Sequence, residues 1–203
     1  MGTPLSRMRF QVELLESSAS TPAQRERLLA LGEDLDELDE LSTELVSWMD
    51  SGPRSDTRQP FALAPVLESL VELEQPASGP PAIELSCPPG ISVAADRRQF
   101  ERAIENLLRN AVRYAQDRVT VTVTTLEGQV AIDVGDDGPG IPGDQRTRVL
   151  NPFVRLDGSH TRAHRGLGLG LAIVRRIVEA HGGSVTISES PERGTLVRTL
   201  WPT

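Results

Sequence analysis

Hydrophobic residues recur along this chain in three rhythms. In the first, Leu5, Met8, Val12 and Leu15 stand at alternating spacings of three and four. Leu28, Leu31, Leu35 and Leu38 repeat that spacing, and Leu45 and Met49 extend it, with Ser42 filling the position between. Such spacing marks the narrow seam of a coiled coil. It predicts two helices joined by the "SSASTP" segment, the second opening at Thr21-Pro22, a cap residue followed by a first-turn proline. So narrow a seam needs a partner, and the simplest partner is a second copy, completing a four-helix bundle.

The second rhythm has period two. "RVTVTVTTLEGQVAIDVGDDG" alternates apolar and polar residues and predicts a β-hairpin. "GSVTISES" and "GTLVRTLWP" predict another, and "AIELS" and "ISVAA" two short strands around a Pro-Pro-Gly turn. The third rhythm is a broad helical face, expected over residues 62–74, over 96–115 with Asp96 as cap, and in "GLGLAIVRRIVEAHGG", which ends on a glycine pair. "DSGPRSDTRQP", residues 50–60, has the composition of a linker. The expected class is α+β: a two-layer α/β sandwich preceded by a helical hairpin. The expected division is residues 1–52 for the hairpin, 53–60 for the linker and 61–203 for the sandwich.

Composition narrows the chemistry. The net charge of −8 argues against a nucleic-acid partner. Every basic residue other than histidine is arginine, so a phosphate must be met by arginine, backbone N–H or a metal. The single cysteine, Cys87, excludes an intrachain disulfide. No apolar run is long enough to span a membrane.

Three stretches carry candidate chemistry. Asn106 and Asn110 stand four apart in "ENLLRNAVRY" and share a helix face. They are either solvated amides or oxygen ligands for Mg²⁺. "DVGDDGPGI" sets an Asp pair at a strand end, before glycines that let a flat ligand approach. It is either an acidic turn or a carboxylate that accepts from an exocyclic amine. "RGLGLGLAIV" reads as a phosphate cradle at a helix start, a strand or a hinge.

In this order the stretches resemble the sensor histidine kinases of bacterial two-component systems. "NLLRNA" resembles their N-box, "DDGPGI" their first glycine box and "NPFVRLD", with Phe153, their F-box. "RGLGLGLAIV" resembles their second glycine box, and "RGTLVRTLWP" their closing segment. The resemblance implies a Bergerat-type ATP-binding fold of the GHKL class, with ATP and Mg²⁺ as cofactors. By position it makes Asn110 the Mg²⁺ ligand and Asn106 its companion, with Arg113 and Tyr114 touching the phosphates and lining the pocket. Asp136 would read the adenine amine, backed by Gly138 and Gly140. Arg155 would aim at the terminal phosphate. Gly166 and Gly168 would hinge a lid spanning residues 156–165, Gly170 would open a phosphate-facing helix, and Thr195 would stand near the adenine. The strand reading of the glycine stretch then drops out. Related ATPases carry a water-activating Glu where this chain has Asn106, which suits transfer to a protein acceptor.

The resemblance implies phosphoryl transfer from ATP to a hairpin histidine, and from there to an Asp of a response regulator. It implies a homodimer, a cytoplasmic location, and membrane anchorage only through segments outside this chain. "TPLSRMRF" resembles the segment following the acceptor histidine, which would lie four residues before Thr3. The chain as given has no histidine in that register, so it is not expected to phosphorylate itself. Thr3 occupies the position that supports phosphatase activity in the family. Met1-Gly2 reads equally as an expression remnant, an internal start or native sequence. His160 and His164 fall in the lid and are expected to be solvated. His181, at a helix C-terminus, is expected to be structural, as a cation facing the helix dipole. Two other readings remain open: a dimerising module that docks a regulator without kinase activity, and a hydrolytic ATPase or serine kinase on the same fold.

Overall fold

The structure is a computed structural model that describes residues 4–18, 21–50, 58–156, 167–191 and 193–203. Two helices come first, α1 (Pro4–Ser17) and α2 (Pro22–Asp50). They touch, burying Val12 and Leu35. Thr21 and Gln24 form a reciprocal cap at the start of α2. The Thr21 hydroxyl accepts from the Gln24 N–H at 3.3 Å, and the Gln24 side chain accepts from the Thr21 N–H at 3.2 Å. Much of the expected seam stays in water: Leu28 is half-buried, and Met8, Leu15, Leu31, Leu38, Leu45 and Met49 are exposed.

β1 (Gln59–Ala62) begins inside the stretch whose composition reads as linker. Its neighbour explains why: Gln59 to Ala62 pair antiparallel with β3 (Ser92–Ala95), in a two-stranded sheet whose open edges tolerate Pro60. After α3 (Leu63–Glu74), strand β2 (Ala82–Ser86) runs parallel to β4 (Arg118–Leu126). β2 and β3, adjacent in sequence around the Pro-Pro-Gly turn, therefore belong to different sheets.

The main sheet has the order β2-β4-β5-β7-β6, where β5 is Gln129–Asp136, β6 Ser184–Glu189 and β7 Thr195–Pro202. Both expected hairpins, β4–β5 and β6–β7, are antiparallel pairs. Alternate residues point to one face, burying Val119, Val121 and Val123 on β4, Val130, Ile132 and Val134 on β5, and Val197, Thr199 and Trp201 on β7.

Helices α4 (Arg97–Tyr114) and α5 (Gly170–Ala180) cover that face. α4 contributes Phe100, Ile104, Leu107 and Leu108, and α5 contributes Ile173, Val174, Ile177 and Val178. Each such side chain contributes about 1.5–3 kcal/mol on burial. Asp96 caps α4 by accepting from the Gln99 N–H at 3.1 Å. Phe61, Phe100 and Trp201 form an edge-to-face stack, with centroids 5.2 and 4.9 Å apart. The architecture is the expected two-layer α/β sandwich.

His181 is structural, but not as a cation. It is buried, its Nε2 accepts from the Asp96 N–H at 3.1 Å, and its Nδ1 lies 2.8 Å from the Ile177 carbonyl. One nitrogen must accept while the other donates, so the ring is neutral. Burial, reinforced by the nearby Arg58, holds its pKa below the ordinary 6.5, against the Ile177 bond and Asp96. The unfolded chain therefore takes up this proton first, and stability falls as the pH drops through 6.5. In His181→Gln the loss of melting temperature between pH 7 and pH 5 should shrink. The variant should be about 1 kcal/mol less stable at pH 7, where a buried hydrogen bond is weakened.

Candidate functional site

Two sets of close approaches lie along one helix. At the C-terminal end of α4, the Tyr114 carbonyl faces Gly138. A Cβ on Gly138 would lie 2.3 Å from that oxygen, so no larger residue fits. Gly194 meets the same strand end from the other side, where a Cβ would stand 2.1 Å from the Asp136 carbonyl oxygen and 2.5 Å from its Oδ1. Asp136 closes β5 between them. Its Oδ1 accepts from the Gly138 N–H at 2.9 Å and from the Thr195 N–H at 3.1 Å, and the Thr195 side chain also reaches it. Asp136 and Thr195 are each 6% exposed.

Burial pushes the Asp136 carboxyl above the ordinary carboxylate range, with Asp137 adding to the push, while the Thr195 and Gly138 bonds pull against it. Two N–H groups thus occupy Oδ1, and the Thr195 side chain adds a further bond to the carboxyl group. Gly140 follows with φ +75°, its α-carbon beside the Arg193 and Gly194 carbonyls.

About two turns earlier on α4, the second set begins. The Asn106 amide nitrogen donates to the Arg102 carbonyl at 2.7 Å. Its Oδ1 stands 3.6 Å from where a Gly170 side chain would start. Gly170 opens α5, whose N-cap residue Leu169 makes no side-chain cap, so the first-turn N–H groups are not taken up by a capping side chain. Gly168 has φ +71°, and a Cβ there would stand 2.6 Å from the Val154 carbonyl oxygen and 3.2 Å from the Arg155 side chain. The structure thus brings Asn106, Gly170, Gly168 and Arg155 to one region.

Asn110 is half-buried one turn beyond Asn106, and Tyr114, also half-buried, one turn beyond that; Arg113 is exposed beside it. Asn106 and Tyr114 are about 12 Å apart along the helix. α4 therefore forms one wall of an elongated site, with a buried carboxylate at one end and a helix N-terminus at the other. Thr3, Gly166 and residues 157–165 of the expected lid, with His160 and His164, lie outside the described residues.

Two features of the site were not picked out from sequence. Gly194 is as constrained as Gly138, and its signal was the Gly-Thr pair opening the last strand. The second is the set of donors that Asp137 takes. Asp136 points into the site, whereas Asp137 accepts from the backbone N–H groups of Gln116, Asp117 and Arg118.

Among the described residues, no group of three or more His, Cys, Asp or Glu side chains is arranged to hold a metal. A cation here would take an amide oxygen from α4, with phosphate and water as its other ligands, which fits a hard ion such as Mg²⁺. No described helix is long and apolar enough to cross a membrane.

A family profile described as "Histidine kinase-, DNA gyrase B-, and HSP90-like ATPase" matches residues 95–203. The sensor protein RstB of Escherichia coli K12 is 32% identical over 203 residues, covering 98% of this chain and 46% of RstB. The sensor histidine kinase CpxA of the same organism is 30% identical, covering 98% of this chain and 44% of CpxA. A crystal structure of full-length ShkA in complex with AMPPNP superposes with a TM-score of 0.75 at 28% identity, covering 98% of this chain and 43% of that one. The chain thus spans less than half the length of each of these proteins. By fold, by the order of its motifs and by these matches, the chain belongs to the histidine kinase-, DNA gyrase B- and HSP90-like ATPase family, and it carries the ATP-binding domain of a sensor histidine kinase.

Proposed function

We propose that this chain binds Mg²⁺-ATP along α4 and presents the terminal phosphoryl group to a histidine on a helical hairpin, which then passes it to an Asp of a response regulator. The observation that carries the reading is the buried Asp136 carboxylate, framed by Gly138, Gly194 and Thr195 at the C-terminal end of α4, with the α5 N-terminus beside Asn106 about two turns earlier on that helix. Asp136 accepts from the adenine amine through Oδ2. Tyr114, Gly140 and Thr195 line the base end. The phosphates lie toward the N–H groups of α5, with Arg113 and Arg155 as the nearby cations and Gly166 and Gly168 hinging the lid. Asn110 holds Mg²⁺, which when bound neutralises charge on the phosphates. Asn106 stands where a base would be needed to activate water. Its amide cannot take a proton, so the site favours transfer over hydrolysis.

Residues 1–52 form the dimerising hairpin, 53–60 the linker and 61–203 the catalytic domain in this reading. The exposed apolar seam of α1 and α2 is covered by a second copy. The histidine that receives the phosphoryl group can be supplied in trans, and the domain works in the cytoplasm. Thr3 takes the phosphatase position.

The test mixes this chain and labelled ATP-Mg²⁺ with a longer copy that has the acceptor histidine but a disabled nucleotide pocket. Label should reach the longer copy. Asn110→Ala should abolish Mg²⁺-dependent ATP binding and lower that transfer by about a hundredfold or more. Transfer undiminished by Asn110→Ala would remove Asn110 from the mechanism, and sustained phosphate release without a partner would favour the hydrolytic reading.

A further inference from the structure

We infer that Asp137 is a positioning residue for nucleotide binding: it clamps the α4–β4 turn to the loop that carries Asp136 and Gly138, and so sets the width of the site at its base end. The inference rests on the proposed nucleotide site but assigns a residue outside it. Three consecutive backbone N–H groups converge on this one side chain. Gln116 donates to Oδ1 at 2.8 Å, Asp117 to both oxygens at 3.2 and 3.0 Å, and Arg118 to Oδ2 at 3.1 Å. These residues join the end of α4 to the start of β4. The turn is also tied to the sheet edge, because the Ala82 N–H donates to the Asp117 carbonyl at 2.9 Å.

The consequence is mechanical. Val119 pairs with Asp136 in the β4–β5 ladder, and one residue later β5 leaves the sheet. Beyond that point the Asp137 carboxylate replaces the ladder as the link between the two segments. Immediately next to it, the Tyr114 carbonyl and Gly138 are in close contact, with no room for a Cβ between them. The clamp thus holds Tyr114, on α4, and Asp136, on β5, at a fixed separation. Only a carboxylate serves, since both of its oxygens accept. Burial works against the charge, yet the bonds from Gln116, Arg118 and Asp117 outweigh it and hold the carboxyl below its ordinary range. An amide would turn an N–H₂ group toward N–H donors.

The test compares Asp137→Asn with the unaltered chain by calorimetric titration with ADP and Mg²⁺-ATP, well below either melting temperature. Both ligands should bind the variant about tenfold or more weakly. The two losses should be equal, because the defect lies at the base end. Unchanged affinity alongside a lower melting temperature would reduce Asp137 to a structural role and overturn the inference. A loss confined to ATP would also overturn it. If the variant does not fold, hydrogen exchange on the unaltered chain decides. Coupling is reciprocal, so ADP should slow exchange at the Gln116, Asp117 and Arg118 amides, and unchanged exchange there would contradict the clamp. Failure of the unaltered chain to bind any adenine nucleotide would instead overturn the proposed function itself.

Discussion

Asp136→Asn should lose adenine-nucleotide binding by about a hundredfold or more while keeping or gaining stability at neutral pH. The two halves of this result have separate causes. The amide oxygen of Asn can still accept from the Gly138 and Thr195 N–H groups, so the loop keeps its anchor. Its N–H₂ group, however, stands where Oδ2 stood and donates toward the ligand amine, leaving two donors facing each other. The gain in stability follows from burial. Desolvation raises the Asp136 pKa in the folded chain above the ordinary 3.8, against the Thr195 and Gly138 bonds. As the pH rises from acid, the unfolded chain therefore ionises first, and the charged form is favoured there. The protonated carboxyl contributes stability fully only below 3.8, and that contribution is lost as the pH rises through the folded-state pKa. Thermal melts should show the variant at its greatest advantage near pH 7, with the gap closing toward pH 3.8. A polar group kept at a cost in stability is what a binding role leads one to expect.

Gly194→Ala should both destabilise the fold and abolish binding. A Cβ at this position would sit 2.1 Å from the Asp136 carbonyl oxygen, 2.5 Å from its Oδ1 and 2.6 Å from its carbonyl carbon. Two of these three atoms are backbone of β5, which is paired on both sides by β4 and β7 and has little room to yield. The added methyl must push β7 away from β5 or turn the Asp136 side chain out of its pocket. Overpacking of this kind costs about 1–3 kcal/mol, and the same displacement removes the Thr195 N–H from Asp136. Thermal unfolding reads the first effect and nucleotide titration the second. Gly128 offers the control. It has open space around it, although its φ of +70° makes a larger residue mildly unfavourable there, so Gly128→Ala should leave nucleotide binding intact.

Much of the architecture was legible because its signals are local. The alternation of Val119, Val121 and Val123 opposite Val130, Ile132 and Val134 needs only a two-residue period and a turn. The cap at Asp96 needs only one side chain and a helix start. What stayed hidden depends on long-range placement. "AIELS" and "ISVAA" look like neighbours, yet one pairs with β4 and the other with β1, because each pairing spans an intervening helix and strand and leaves no nearby turn to announce it. The composition of residues 50–60 reads as linker through Gln59 and Pro60, where β1 begins, since an edge strand and a loop tolerate proline equally.

The site divides in the same way. Asp136, Gly138 and Gly140 stand out as one short motif, and Asn106 with Asn110 as one helix face. Gly194 is distant in sequence and announces itself only by the threonine after it. Of the adjacent Asp136 and Asp137, spacing alone singles out neither; the family resemblance points to Asp136, and only the fold gives Asp137 to the Gln116–Arg118 turn. His181 shows the opposite case. Its position at a helix end suggested a charge, whereas burial and two hydrogen bonds make it neutral.

The central claim is that α4, Asp136 and the start of α5 together form a site for an adenine nucleotide. Calorimetric titration of the unaltered chain with a non-hydrolysable ATP analogue and Mg²⁺ tests it most directly. The account predicts saturable binding with one nucleotide per chain, retained when ADP replaces the analogue and lost when a guanine nucleotide does. Absence of binding, or equal affinity for adenine and guanine nucleotides, would contradict it.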